Sequence, residues 1–236
     1  MSYTILDADK IIASLELLSR RIYERFPQSG LFQVSQQLLT FSRNAQEDSE
    51  WVARPIVLLR VVSVLLVLLL IIAVVWTLRE MIKTEQVLNS LMDITLLEAE
   101  INVAILIGAG IFFLISAETR IKRRRALNSL HRLRVFAHII DMHQLHKDPE
   151  RVLERGELAP STPKIDMTPF ELSRYLDYCS EMLTLTGNIA GLYAQSSDDA
   201  VLVDAVSDIE QLTNGISRTI WQKLMILHSL EVKGQV

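Results

Sequence analysis

The chain has 236 residues, half of them hydrophobic, with 24 basic and 28 acidic side chains and a net charge of -4. This composition excludes a collagen-like, disordered or disulfide-stapled chain and gives no global pull toward nucleic acid. A mean hydropathy of +0.26, concentrated in two blocks, argues against a simple soluble globule.

Residues 5–27 read as an amphipathic helix. Asp7 can cap it, and Ile11, Ile12, Leu15, Leu18, Ile22 and Phe26 recur at helical spacing. The start of the chain is mixed and acidic and has no apolar stretch of the kind a signal peptide needs. Pro27-Gln-Ser-Gly30 interrupts the pattern, and a second helix is expected over 31–44, with Phe32, Leu38, Leu39 and Phe41. Its polar continuation from Asn44 leads toward the first apolar block. Residues 1–54 are therefore expected to supply cytosolic helices packed on the rest of a cytosolic domain, with the membrane surface as the alternative resting place.

Residues 55–78 read as the first transmembrane helix. Val61 to Leu78 carries no charge, and its 18 residues span about 27 Å as a helix, close to the thickness of a hydrocarbon core. Pro55 suits a first-turn position, and Trp51 and Trp76 suit the two interfaces. Arg60 lies within about two turns of Pro55, near enough for its side chain to snorkel to headgroups; marking an intramembrane partner is the sharper reading.

Residues 79–100 carry two basic against five acidic groups and read as a short extracytoplasmic helical connector. Ile82, Val87, Leu88, Leu91, Ile94 and Leu97 suggest that both apolar helices extend into it, joined near 89–93. Glu98 and Glu100 are placed to pair with Arg79. Residues 101–117 then read as the second transmembrane helix, about 26 Å long. Within it, Ala104-x-x-x-Gly108 has a small-residue spacing suited to close helix packing.

Residues 118–148 carry eight basic against three acidic groups and read as a basic juxtamembrane helix. Arg120, Lys122, Arg123, Arg124 and Arg125 lie where the positive-inside rule counts charge. They place both termini in the cytoplasm of a plasma or bacterial inner membrane and point to anionic lipid headgroups as a partner. Nucleic acid is the disfavoured reading, because the run abuts an apolar helix and few aromatics interleave with it. An apolar stripe runs through Ile121, Leu127, Leu130, Leu133, Phe136, Ile140 and Leu145, and Asp148-Pro149 marks its end.

Residues 149–167, with Gly156, Pro160 and Pro163, form the clearest linker. Residues 168–232 read as a cytosolic helical hairpin. Thr168-Pro-Phe-Glu171 is a complete helix start, and Leu172, Leu176, Cys179 and Leu183 share one face. Ser196–Asp199 is a looser capping signal for a last helix whose stripe includes Val203, Val206, Ile209, Leu212, Ile216, Ile220, Leu224 and Leu227. The hairpin is too small to bury a good core alone, so it is expected to pack with 119–147 and the N-terminal helices.

The fold class is thus an all-α integral membrane protein, with two transmembrane helices in a hairpin plus a cytosolic helical bundle. Few residues promise chemistry. The single cysteine, Cys179, has no identifiable base and reads as a buried structural thiol. His131, His138, His143 and His146 fall within sixteen residues, with Asp141 three positions from His138 and able to orient it. One helix cannot converge them into a closed site, so capping and hydrogen bonding are the bland reading, and His143 with His146 is the weak metal candidate. Phosphate-loop, dinucleotide and His-Glu-x-x-His patterns are missing, and no cofactor is implied. The leading functional expectation is a non-enzymatic membrane anchor or scaffold that presents a helical bundle to a membrane-protein partner or to another copy. An oligomeric channel or transport accessory is the alternative, and a metal-binding protein using His131–His146 the third reading.

Overall fold

Asp7 accepts hydrogen bonds from the backbone N–H groups of Asp9 (3.1 Å) and Lys10 (3.3 Å), and so opens α1, Ala8–Arg25, as a helix cap does. The computed structural model describes residues 5–83, 90–149 and 166–234. In chain order the further helices are α2 (Gly30–Ala53), α3 (Val57–Lys83), α4 (Ser90–Leu145), α5 (Pro169–Gln195) and α6 (Ala200–Gly234). Residues 84–89 of the connector and 150–165 of the linker lie outside the described residues, as does the Glu100 side chain expected to pair with Arg79.

The chain divides into two units, Met1–Ala53 with Arg125–Val236, and Arg54–Arg124. The first unit is a helical bundle. Ile11, Leu15, Leu18 and Ile22 of α1 are buried as their spacing predicts, and so are Leu172, Leu176, Cys179 and Leu183 of α5. Each fully buried leucine stabilises the fold by about 1.5–3 kcal/mol relative to an exposed one. Leu130, Leu133 and Ile140 carry the 125–145 stretch of α4 into the same core. Where α1 crosses α2, the buried hydroxyls of Ser19 and Ser35 pair at 2.9 Å, and Gln36 donates to Ser19 Oγ at 2.8 Å, so the small polar pair is satisfied.

Three local expectations change. First, α2 runs to Ala53 instead of stopping near residue 44. Ala45, Ser49 and Val52 are buried, so the polar-looking continuation hides a face of small residues at helical spacing. Second, Asp199 rather than Ser196 caps α6: its carboxylate accepts from the Val201 N–H at 3.0 Å, while Ser196 closes α5. The shorter Asp side chain reaches its own first turn more readily than it reaches back across one. Third, the stripe of α4 is displaced, with Ile121 and Leu145 exposed while Ala126 and Ala137 are buried. Alanine at those positions lets neighbouring helices approach closely. The Thr168 cap stands as the sequence predicts: Glu171 N–H donates to Thr168 Oγ1 at 3.2 Å, and Thr168 N–H donates back to Glu171 Oε2 at 2.8 Å.

In the second unit, α3 and α4 are long and apolar enough to cross a membrane. Most of the described side chains of α3 are exposed. Ile56, Leu59, Ser63, Leu66, Leu70 and Ala73 form a half-covered stripe, with steps of three and four that alternate. Ala104, Ile107, Ile111, Leu114 and Glu118 form a matching stripe on α4. The alternating steps correspond to a period of about 3.5 residues, close to that of a helix. Glu118, at the end of one stripe, touches Ile56 at the start of the other. Gly108 is exposed, and a Cβ built there meets nothing within 4 Å.

Candidate functional site

The histidine segment occupies the end of α4. His131 and His138 are exposed, and His143 is half-buried against α5, where its Nδ1 lies 3.4 Å from the Tyr175 hydroxyl, the long limit of a hydrogen bond. A Cβ on Gly30 would stand 2.5 Å from His143 Cε1, so only glycine lets α2 begin this close to the ring. Burial, then the neighbouring Lys147, hold the imidazole pKa below its ordinary 6.5. Lys147 sits over the Tyr175 ring at 5.3 Å, and burial lowers its pKa too.

His146 is exposed and engaged elsewhere in the structure. Asp141 does not serve His138 as the spacing suggests; it accepts from Gln144 Nε2 at 2.6 Å, because Gln144 is also three positions away and is buried beside it. Among the described residues, no group of three or more His, Cys, Asp and Glu is placed to hold a metal ion. Cys179 is fully buried, and burial pushes its thiol up, so it stays protonated and is no nucleophile at neutral pH.

Lys223 of α6 closes this end of the bundle. Its ammonium donates to the carbonyls of Gln144 (2.8 Å) and Leu145 (3.3 Å) and lies 3.4 Å from Asp148. A cation on the last carbonyls of a helix satisfies orphan acceptors and meets the negative end of the dipole. Nothing local marks Lys223 in the sequence, since its partners are 75 or more residues away.

The basic run has a different geometry. In the second unit, Glu118 accepts from Lys122 at 2.9 Å and from the Ile56 N–H at 3.2 Å, and Arg60 Nε lies 3.7 Å away. The Lys122 hydrogen bond is the main reason its carboxyl titrates below the usual range. The Arg60 side chain stays 64% exposed while it reaches this carboxylate, which is 15% exposed. Arg60 thus has an acid partner as well as room to snorkel. In the first unit, Arg125 donates to Asp48 through Nε (2.9 Å) and Nη2 (2.5 Å), while Ser129 donates to the other Asp48 oxygen at 3.2 Å. The same guanidinium lies 4.5 Å over the Trp51 ring. Arg120 and Arg124 are exposed.

Comparison with protein-family models, curated protein sequences and solved structures finds no match for this chain. The reading of function therefore rests on the geometry. Around His143, Tyr175 and Lys147 pack against one another and against the ring, and Lys223 ends a helix. The basic run instead divides between groups spent on internal carboxylates and groups turned to the surroundings. The Glu118–Lys122 pair is legible at four residues' spacing, whereas Asp48–Arg125 joins residues 77 apart and gives no sequence signal.

Proposed function

We propose that the protein is a two-crossing membrane anchor or scaffold, with residues 55–78, chiefly α3, and residues 101–117 of α4 in the bilayer, both termini cytoplasmic, and the helical bundle presented to a partner or to another copy. The observation that supports this reading best is the exposed surface of α3. From Val57 to Trp76 only Arg60 and Ser63 interrupt a run of apolar and aromatic side chains, most of them exposed. An apolar surface of that extent is costly in water and suited to lipid. The orientation is read from the arginines that follow the apolar stretch 101–117 within α4 and from the acidic connector before that stretch.

Two measurements test the two halves of the reading. Alkaline carbonate should leave the protein in the membrane pellet; release into the supernatant ends the bilayer reading. A cysteine introduced as Gln86→Cys should react with an impermeant maleimide in intact cells, and one introduced as Gln222→Cys only after lysis. The reverse pattern overturns the orientation. For the scaffold role, purification in mild detergent should yield a second copy or a bound protein. A strictly monomeric, partner-free species counts against it.

A further inference from the structure

The arginine run of α4 holds two populations. Lys122 and Arg125 are turned to Glu118 and Asp48 of their own chain. Arg120 and Arg124 are exposed. Four residues apart, they leave one face of the helix about 6 Å from each other. Ile121 is exposed between them, and Phe113, also exposed, lies two turns earlier, nearly in line with Arg120. The face therefore reads aromatic, then two guanidiniums one turn apart, with the aliphatic Ile121 to one side. Guanidinium forks match phosphate oxygens, and their methylene stems cover apolar chains beside them.

We propose that Arg120 and Arg124 jointly hold the phosphate of an anionic phospholipid, with an acyl chain lying along Phe113. The proposal rests on the reading of α3 and α4 as bilayer crossings. Glu118 is spent on Lys122, so it does not neutralise the exposed pair. A zwitterionic lipid would bring its own cation against two guanidiniums; an anionic one brings none. Inorganic phosphate offers the same oxygens but nothing for Phe113 to cover.

The test uses the full chain reconstituted from equal amounts of phosphatidylglycerol and phosphatidylcholine, with the lipids retained after mild delipidation identified by native mass spectrometry. Carbonate extraction of the wild type comes first, and release there sinks the bilayer reading itself. With the protein in the membrane, phosphatidylglycerol should be retained over phosphatidylcholine by about tenfold. Arg120→Gln with Arg124→Gln should abolish that preference, whereas Arg20→Gln with Arg218→Gln, the same charge loss at exposed sites of the bundle, should keep it. Should the double variant lose its helical circular dichroism, each single substitution should still lower the preference part-way. Phe113→Ala keeps both charges and should lower retention of the lipid. A preference unchanged in the Arg120/Arg124 variants overturns the site, as does an equal loss in the Arg20/Arg218 control. Tight binding of inorganic phosphate with no lipid preference assigns the pair to a soluble anion and overturns the lipid.

Discussion

The bundle and the α3–α4 unit are made of the same residues, largely Leu, Ile and Val at helical spacing, yet they use them in opposite ways. In the bundle, each helix hides one apolar stripe and shows water a polar face, and Leu15, Leu38 and Leu176 are wholly buried. Among the described side chains of α3, apolar groups point in nearly every direction, and only the stripe from Leu59 to Ala73 is half-covered. The bundle satisfies its leucines internally. The α3 surface relies on its surroundings, which lipid satisfies and water does not. Polar groups differ likewise. The bundle carries caps and side-chain pairs along its length, such as Arg21–Glu181 at 2.9 Å, whereas the described ion pairs of the other unit gather at Glu118.

The sharpest way to break this contrast is to remove the same side chain from each unit. Leu176→Ala should cost about 2–5 kcal/mol, because it leaves a cavity in a fully buried site. Leu65→Ala, at a position 59% exposed, should cost less than about 1 kcal/mol in detergent. Denaturant unfolding followed by circular dichroism measures both. Equal losses would mean that the surface of α3 is covered and that the contrast is false.

Glycines give a smaller effect of the same kind. Gly30→Ala drives a methyl group into the His143 ring, and we expect a loss of about 1–3 kcal/mol. Gly108→Ala meets nothing and should leave the melting temperature unchanged or slightly higher, since alanine favours helix. A clear loss at Gly108 in dilute detergent would reveal a neighbour packed there.

The smallest effect concerns pH. Burial and Lys147 hold the folded pKa of His143 below 6.5, so the unfolded chain binds this proton more readily than the folded one. Its contribution to stability is complete above that ordinary value and is lost as pH falls from there through the lower folded value. Thermal melts at about pH 7.5 and about pH 5.5 should show a larger acid loss in wild type than in His143→Gln. An equal or smaller loss in wild type would show that this ring is not held neutral by the fold.

Much of the architecture was legible because its causes are local. Asp7, Thr168 and Pro169 announce helix starts through hydrogen bonds within three residues, and the spacing of Leu172, Leu176, Cys179 and Leu183 fixes which face of α5 is buried. Small residues defeated the same reading elsewhere. Ala45, Ser49, Ala126 and Ala137 line buried faces, but their low hydrophobicity hides them from an apolar pattern. The candidate site was legible as a charge run and illegible as a geometry, since the Glu118 and Asp48 carboxylates set Lys122 and Arg125 apart from Arg120 and Arg124, and the Asp48 contact is a property of the fold.

The sequence by itself determined that the chain is helical, that two stretches are apolar enough to cross a membrane, and that basic charge gathers after the second. Hydropathy, caps and helical period act over a few residues, so a linear reading captures them. Only the tertiary structure decided that Asp48 takes Arg125, that Glu118 gathers Ile56, Arg60 and Lys122, and that Lys223 closes the end of α4. Apart from the four-residue Glu118–Lys122 step, those partners lie 58 to 79 residues apart along the chain. No spacing rule joins such pairs; each forms because packing of the apolar faces brings the two helices together and leaves a charge in need of a counter-charge.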